Sequence, residues 1–161
     1  MKNEKSKSAF SMIELVFVIV IIGILAAVAI PRLAATRDDA ELTKARTLVA
    51  SVRNALAMER QKRILRGEFK PLTAVGDTTN VFGNFYDADG DTGVGVLEYP
   101  IPDKKKKHHW TLDNTNWYAF CLTDSCEANN AIWFRVIDGK FICNEDESYY
   151  RKCATLGLTA G

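Results

Sequence analysis

Residues 15–30 form an uninterrupted apolar segment. The sequence LVFVIVIIGILAAVAI contains no charged residue, and residues 10–14 extend it toward the N-terminus. Together the two stretches reach the roughly 20 residues that a helix needs to cross the hydrocarbon core of a bilayer. The preceding residues, MKNEKSKSA, are polar and contain lysine, so they should stay in the cytoplasm. The pattern therefore predicts a transmembrane helix close to the N-terminus.

After Pro31 the apolar residues continue on one helical face only. They follow one another at spacings of 3, 4, 3 and 4 along Leu42, Ala45, Val49, Val52 and Leu56. Leu48 and Ala55 widen this stripe, and a solvated face is formed by Arg37, Asp38, Glu41, Lys44 and Arg46. The helix plausibly ends at Gly67. We therefore predict a helix over residues 10–66 whose second part docks on a small sheet. A free coiled coil is the alternative, but this stripe is too short to sustain enough heptads.

Aromatic and β-branched runs in the last third of the chain predict four strands, at residues 110–112, 117–122, 131–137 and 140–143. Asn114-Thr-Asn116 and Asp138-Gly139 indicate turns between them, and Asp-Gly is the stronger hairpin signal. The predicted fold class is α+β. A long N-terminal helix, transmembrane in its first half, packs on a small antiparallel sheet.

Residues 71–103 are rich in Gly, Asp, Thr and Asn, which predicts a long connecting region with little regular structure. Within it, carboxylates at alternate positions and a glutamate at the twelfth match the spacing of an EF-hand-like calcium loop. The candidate ligands are Asp87, Asp89, Asp91, the carbonyl of Gly93, and Glu98. Thr92 stands where that loop has glycine, and no flanking helices are evident. A solvated Asp-Gly turn is the alternative.

Four cysteines lie in the last quarter of the chain, at Cys121, Cys126, Cys143 and Cys153. The even number favours disulfides in an oxidising compartment. A zinc site is disfavoured because no Cys-x2-Cys occurs and the two histidines lie outside the cysteine cluster. Three pairings are possible, and we favour the two local ones, Cys121 with Cys126 and Cys143 with Cys153.

The overall charge is nearly balanced, with 21 Lys and Arg against 20 Asp and Glu in 161 residues. Bulk charge therefore gives no reason to expect a nucleic-acid or anionic-membrane partner. Lys104-Lys-Lys-Lys107 and the following His108-His109 form a local basic run that could touch DNA or an anionic surface. We interpret it as a solvated loop, because the charges are few and an acidic loop precedes them. No nucleophile and base pattern or phosphate-binding glycine loop occurs, so no enzymatic activity is expected.

Glu14 is the one charged residue within residues 10–31. A carboxylate in a membrane helix costs a few kcal/mol and usually marks a function, although near the helix start it could reach interfacial water. Its context favours a function. The stretch Ala9-Phe10-Ser11-Met12-Ile13-Glu14-Leu15 resembles the processing motif of type IV prepilins and type II secretion pseudopilins, and Pro31 matches a proline common in these subunits.

The resemblance implies that a prepilin peptidase cleaves between Ala9 and Phe10 and methylates the new amine of Phe10. This chain has alanine where the family usually has glycine before the cut. Glu14 becomes the fifth residue of the mature chain, the position of an acidic residue in the family. In a filament it can pair with the N-terminal ammonium of a neighbouring subunit.

The resemblance covers about the first sixty residues, and together with the patterns above it gives the expected organisation of the chain. Residues 1–9 are the leader, 10–31 the transmembrane and filament-core helix, 32–66 the amphipathic helix, 67–108 the connecting region with a possible calcium site, and 109–161 the sheet with a disulfide-bounded loop. The expected role is a subunit of a type II secretion pseudopilus or type IV pilus, and some pseudopilins use calcium. The expected partners are other copies and related subunits, the peptidase and the inner-membrane assembly machinery.

Such a subunit is expected in the inner membrane with its C-terminal domain in the periplasm, without a nucleic-acid partner. The alternative is a secreted binding domain, because Ala27-Val28-Ala29 also fits a signal-peptidase site. A calcium-stabilised domain held by an uncleaved helix is a variant of that alternative.

Overall fold

The computed structural model describes residues 10–77, 79–114, 116–144 and 153–158. The chain forms two compact units, Met1–Ala40 and Glu41–Gly161. In the described ranges the main elements are one long helix and six strands: α1 (Met12–Leu65), β1 (Asn84–Asp87), β2 (Gly90–Gly95), β3 (Trp110–Asn114), β4 (Trp117–Cys121), β5 (Ala131–Ile137) and β6 (Lys140–Cys143). The predicted α+β class is confirmed, and α1 ends within two residues of its predicted bounds.

In the first unit the helix is apolar around its whole circumference from Leu15 to Ile30. The large apolar side chains of residues 10–33 are between 40% and 82% exposed. An 18-residue window of this helix has a mean hydropathy of 3.1, so the helix is long and apolar enough to cross a membrane by length and composition. Pro31 lies within α1 without ending it. A helix that is hydrophobic on every side requires burial in lipid or against partners.

In the second unit the predicted apolar stripe faces the protein core. Val49 and Val52 are fully buried and Leu56 is nearly so, while Leu42 packs at the edge. The inner face of the sheet meets them with aromatic side chains, and the rings of Phe134 and Phe141 stack with centroids 5.1 Å apart. The helix stripe and the sheet therefore share one core.

The sheet is an antiparallel meander in the order β3-β4-β5-β6. The turn between β5 and β6 is the predicted Asp138-Gly139, with φ of 50° and 71°. This left-handed conformation at both positions suits the two-residue hairpin turn for which Asp-Gly is favoured. At the same end of the sheet, the side chain of Asn116 accepts a hydrogen bond from the amide of Val136 at 2.8 Å and donates to its carbonyl at 2.9 Å.

The prediction of little regular structure in residues 71–103 was wrong. Strands β1 and β2 pair as an antiparallel hairpin, and the region contributes fully buried side chains such as Val81 and Phe82 to the core. The amide of Val75 donates to the hydroxyl of Tyr118 at 2.8 Å, and burial raises the pKa of that phenol. The apolar residues stand singly or in pairs among turn formers, so they produce no periodic signal.

Glycine makes this packing possible at Gly76. A Cβ there would lie 2.5 Å from the carbonyl oxygen of Val81, which is closer than real Cβ contacts. The glycine content that indicated a loop therefore partly reflects a need for close backbone packing.

Candidate functional site: the exposed helix and the charged helix end

The start of α1 carries two residues of the expected processing and assembly site, Phe10 and Glu14. Phe10 precedes the helix and is 80% exposed, and Glu14 lies exposed in the first turn. A carboxylate in the first turn is favoured by the helix dipole. Among the described residues nothing pairs with Glu14, so its charge is available to a group from another chain. Ala9, the other residue of the expected cleavage site, lies outside the described residues.

The buried face of the helix in the second unit continues beyond Leu56, and its next two positions are charged residues. Glu59 and Arg63 continue the spacing by three and four residues, and both are buried, with 4% and 8% exposure. Sequence reasoning missed these two residues. The continued helical spacing was the available signal, because positions on the buried face remain buried whatever their polarity.

The guanidinium of Arg63 is the centre of this charged end. It forms an ion pair with Asp87 at the end of β1 and lies 3.3 Å from a carboxylate oxygen of Glu68. Its Nη1 also donates to the carbonyl of Lys70 at 3.4 Å. The hydrogen bond from Arg63 is the main cause that lowers the pKa of Asp87, and it raises the pKa of Arg63 itself. The pair therefore joins the end of α1 to the hairpin.

Three of the expected calcium ligands, Asp87, Asp89 and Asp91, line one depression at the hairpin, but cationic side chains already pair with two of them. Asp89, in the turn, pairs with Lys70, and Asp91 accepts a hydrogen bond from the side-chain amide of Asn84 at 3.0 Å. In the ranges that the structure describes, no group of three or more His, Cys, Asp or Glu side chains is placed to hold a metal ion. As arranged, the residues do not fit a calcium ion.

The pairing of β1 with β2 explains this difference from the expected loop. Asp87 lies opposite Gly90 in the ladder, whereas an EF-hand loop coils its alternate residues around the cation. A calcium ion at these carboxylates would have to displace Arg63 and Lys70. Calcium binding by Asp87, Asp89, Asp91, Gly93 and Glu98 thus stays a prediction from sequence.

Both disulfides join near neighbours in the chain. Cys121 at the end of β4 bonds to Cys126, and Cys143 at the end of β6 bonds to Cys153. These are the two local pairs that the sequence favoured. Cys153 begins a short 3-10 turn, Cys153–Leu156, whose final carbonyl accepts a hydrogen bond from the guanidinium of Arg46 on α1. The C-terminal segment is therefore fastened both to the sheet and to the helix.

The basic run lies on the surface beside α1. Lys104–107 are exposed, and His108 adopts a positive φ of 61° with its ring stacked on Phe120. A cavity of about 450 Å³ separates this loop from the part of the helix around Ala45. The run is therefore exposed, as predicted for a solvated loop, and it also forms one wall of a depression.

Comparison with known proteins gives one match. The family model of the prokaryotic N-terminal methylation motif matches residues 5–30. No curated protein and no solved structure matches the chain significantly. The matched range contains Phe10, Glu14 and the exposed apolar helix. The chain thus carries the N-terminal signature of the type IV pilins and pseudopilins.

Proposed function

We propose that this protein is a structural subunit of a type II secretion pseudopilus or a type IV pilus, assembled through its N-terminal helix. One observation carries the proposal: the methylation motif matches residues 5–30, and from Met12 onward the matched residues lie on a helix whose large apolar side chains are exposed. That motif marks structural subunits rather than enzymes. Residues 41–161 form a unit with its own hydrophobic core, to which the second half of α1 contributes.

Assembly buries Glu14 among the apolar helices of neighbouring subunits. The charge then requires a partner, and the N-terminal ammonium of Phe10 on an adjacent subunit supplies one after the leader is removed. Such a buried pair adds little net stability because both groups lose water, yet removal of one partner typically costs about 3–5 kcal/mol. The pair therefore acts on the register of subunits.

The two units suit two environments. Before assembly the apolar helix spans the inner membrane once, and the C-terminal domain lies in the periplasm, where disulfides such as Cys143–Cys153 persist. The partners are other copies of this chain and related subunits, the prepilin peptidase that cuts before Phe10, and the inner-membrane assembly machinery. The filament extends into the periplasm or to the cell surface.

The rival function is a binding domain that works alone. Signal-peptidase cleavage after Ala29 would release it, and an uncleaved helix would anchor it in the membrane. Cleavage after Ala29 would discard Glu14 and the apolar helix, and with them the features that support assembly.

The mature N-terminus of the membrane-fraction protein distinguishes these functions. We expect mass spectrometry to find N-methylated Phe10. As a matched control, Ala9→Leu should block cleavage because the residue before the cut must be small, whereas Ala9→Gly should be processed at least as well as wild type. A chain that starts at Ile30 would make the protein a secreted domain, and an intact Met1 in the wild type would contradict the proposed processing.

A further inference from the structure

The cavity beside α1 has an apolar floor and a cationic rim. Leu48 on the helix, Ile101 and Trp110 form part of the floor, while Lys44 and Lys104 stand at the rim. Its volume of about 450 Å³ falls in the range of small-molecule sites. An apolar floor below positive charge suits a ligand that is apolar at one end and anionic at the other.

The charges around the rim are only partly neutralised within the protein. Lys105 lies 3.9 Å from Asp113, and Lys44 pairs with Glu41 at 2.9 Å. In the described part of the chain, Lys104 and Lys106 form no ion pair, and both are exposed. The remaining acids nearby are engaged with the backbone: Asp103 accepts from the amide of Leu112, and Asp124 from that of Lys107.

The membrane helix limits how far this cavity can be from a bilayer. Residue 41, at the cavity, follows residue 30, at the end of the apolar run, by eleven positions. Even a fully extended chain of that length spans at most about 40 Å. While the first unit is in the membrane, a tether this short keeps the basic rim at a high local concentration of lipid headgroups.

We propose that this cavity binds an anionic phospholipid of the membrane's periplasmic leaflet while the subunit is membrane-embedded. Lys104 and Lys106 contact the headgroup phosphate, and the apolar floor accepts the adjoining glycerol and acyl carbons. The inference rests on the membrane-embedded stage of the proposed function. A lipid fits better than nucleic acid because the floor below the lysines is apolar and because the tether supplies a membrane.

The test is hydrogen exchange of the full chain in nanodiscs. One preparation contains phosphatidylcholine alone, and a second contains phosphatidylcholine with about one-third phosphatidylglycerol, enough to give a negative surface potential. We expect the amides of residues 104–110 to exchange more slowly in the anionic discs. Lys104→Gln with Lys106→Gln should abolish that difference, since each lysine near an anionic surface contributes on the order of fivefold in association.

The matched control removes two exposed lysines away from the cavity, Lys62→Gln with Lys140→Gln, and should keep the lipid-dependent protection. Equal exchange in the two disc types, or an equal loss of lipid-dependent protection in both double variants, would overturn this inference but not the proposed function. The same protection produced by a DNA duplex in neutral discs, without any effect of anionic lipid, would assign the cavity to nucleic acid instead. Failure of the chain to insert would overturn the membrane stage of the proposed function together with this inference.

Discussion

The two halves of α1 share a conformation but not an environment. Leu25 in the first half is 64% exposed, whereas Leu56 in the second half is 1% exposed. The second half has a stripe that its own sheet covers, and its polar face meets solvent. From Leu15 to Ile30 the first half is apolar on all sides, and the described residues of its own unit leave these side chains exposed. This half must therefore be covered by lipid or by other subunits, which a single chain does not provide.

The largest effect should come from Glu14→Ala. Loss of one partner of a buried charge pair costs about 3–5 kcal/mol, so the variant should insert in the membrane but assemble poorly. Filament yield after shearing measures assembly, and membrane fractionation measures insertion. Glu41→Ala removes a carboxylate of the same helix from a mainly exposed ion pair and should assemble normally. Normal filaments from Glu14→Ala would refute the pairing.

Leucine truncation should next separate the two halves. Leu56→Ala should lower the free energy of unfolding of the C-terminal domain by about 2–5 kcal/mol, because it opens a cavity in the core. Leu25→Ala should leave that free energy unchanged. Urea unfolding of the detergent-solubilised chain, followed by tryptophan fluorescence, reports both, since all three tryptophans lie beyond residue 109. Equal effects of the two substitutions would contradict the division into units.

Arg63→Ala should have a smaller effect at the charged end of the stripe. Loss of the hydrogen bond to the charged, partly buried Asp87 costs about 1.5–3 kcal/mol in the same unfolding assay. Arg60→Ala, an exposed arginine one turn earlier, should change the free energy of unfolding by less than about 0.5 kcal/mol.

The pH dependence of this difference gives an independent test. Arg63 lowers the pKa of Asp87 in the folded chain, so the pair stabilises the fold above the unfolded pKa of about 3.9. That stabilisation is lost as the pH falls through the folded pKa, because the carboxyl then takes up a proton. The gap between wild type and Arg63→Ala should therefore shrink below about pH 4. A gap that stays constant to pH 2 would exclude this ion pair as its cause.

The smallest expected effect is that of calcium. Arg63 and Lys70 already neutralise Asp87 and Asp89. We therefore expect the melting temperature in millimolar calcium to equal that in millimolar magnesium. A melting temperature that rises in calcium but not in magnesium would show that calcium displaces Arg63 and Lys70. It would support the ligand set predicted from sequence.

Periodic segments were predictable because their burial is encoded in local spacing. The stripe of α1, the runs of β3 to β6 and the Asp138-Gly139 turn all carry such a signal. The hairpin β1-β2 was not predictable, since its short strands are rich in Gly and Asp and depend on packing of residues such as Phe85. The partner of Arg63 was likewise not predictable, because Asp87 lies 24 positions away in the sequence.

The fastening of the helix to β6 bears on how the domain resists a pulling force. Arg53 on α1 donates to the carbonyl of Phe141 in β6 at 2.9 Å. Arg46 reaches the same strand by a longer route, through the carbonyl of Leu156 and the Cys143–Cys153 disulfide. Tension applied along the helix is thus shared between two anchor points on an edge strand. Reduction of the disulfide would remove one of them and concentrate the load on Arg53.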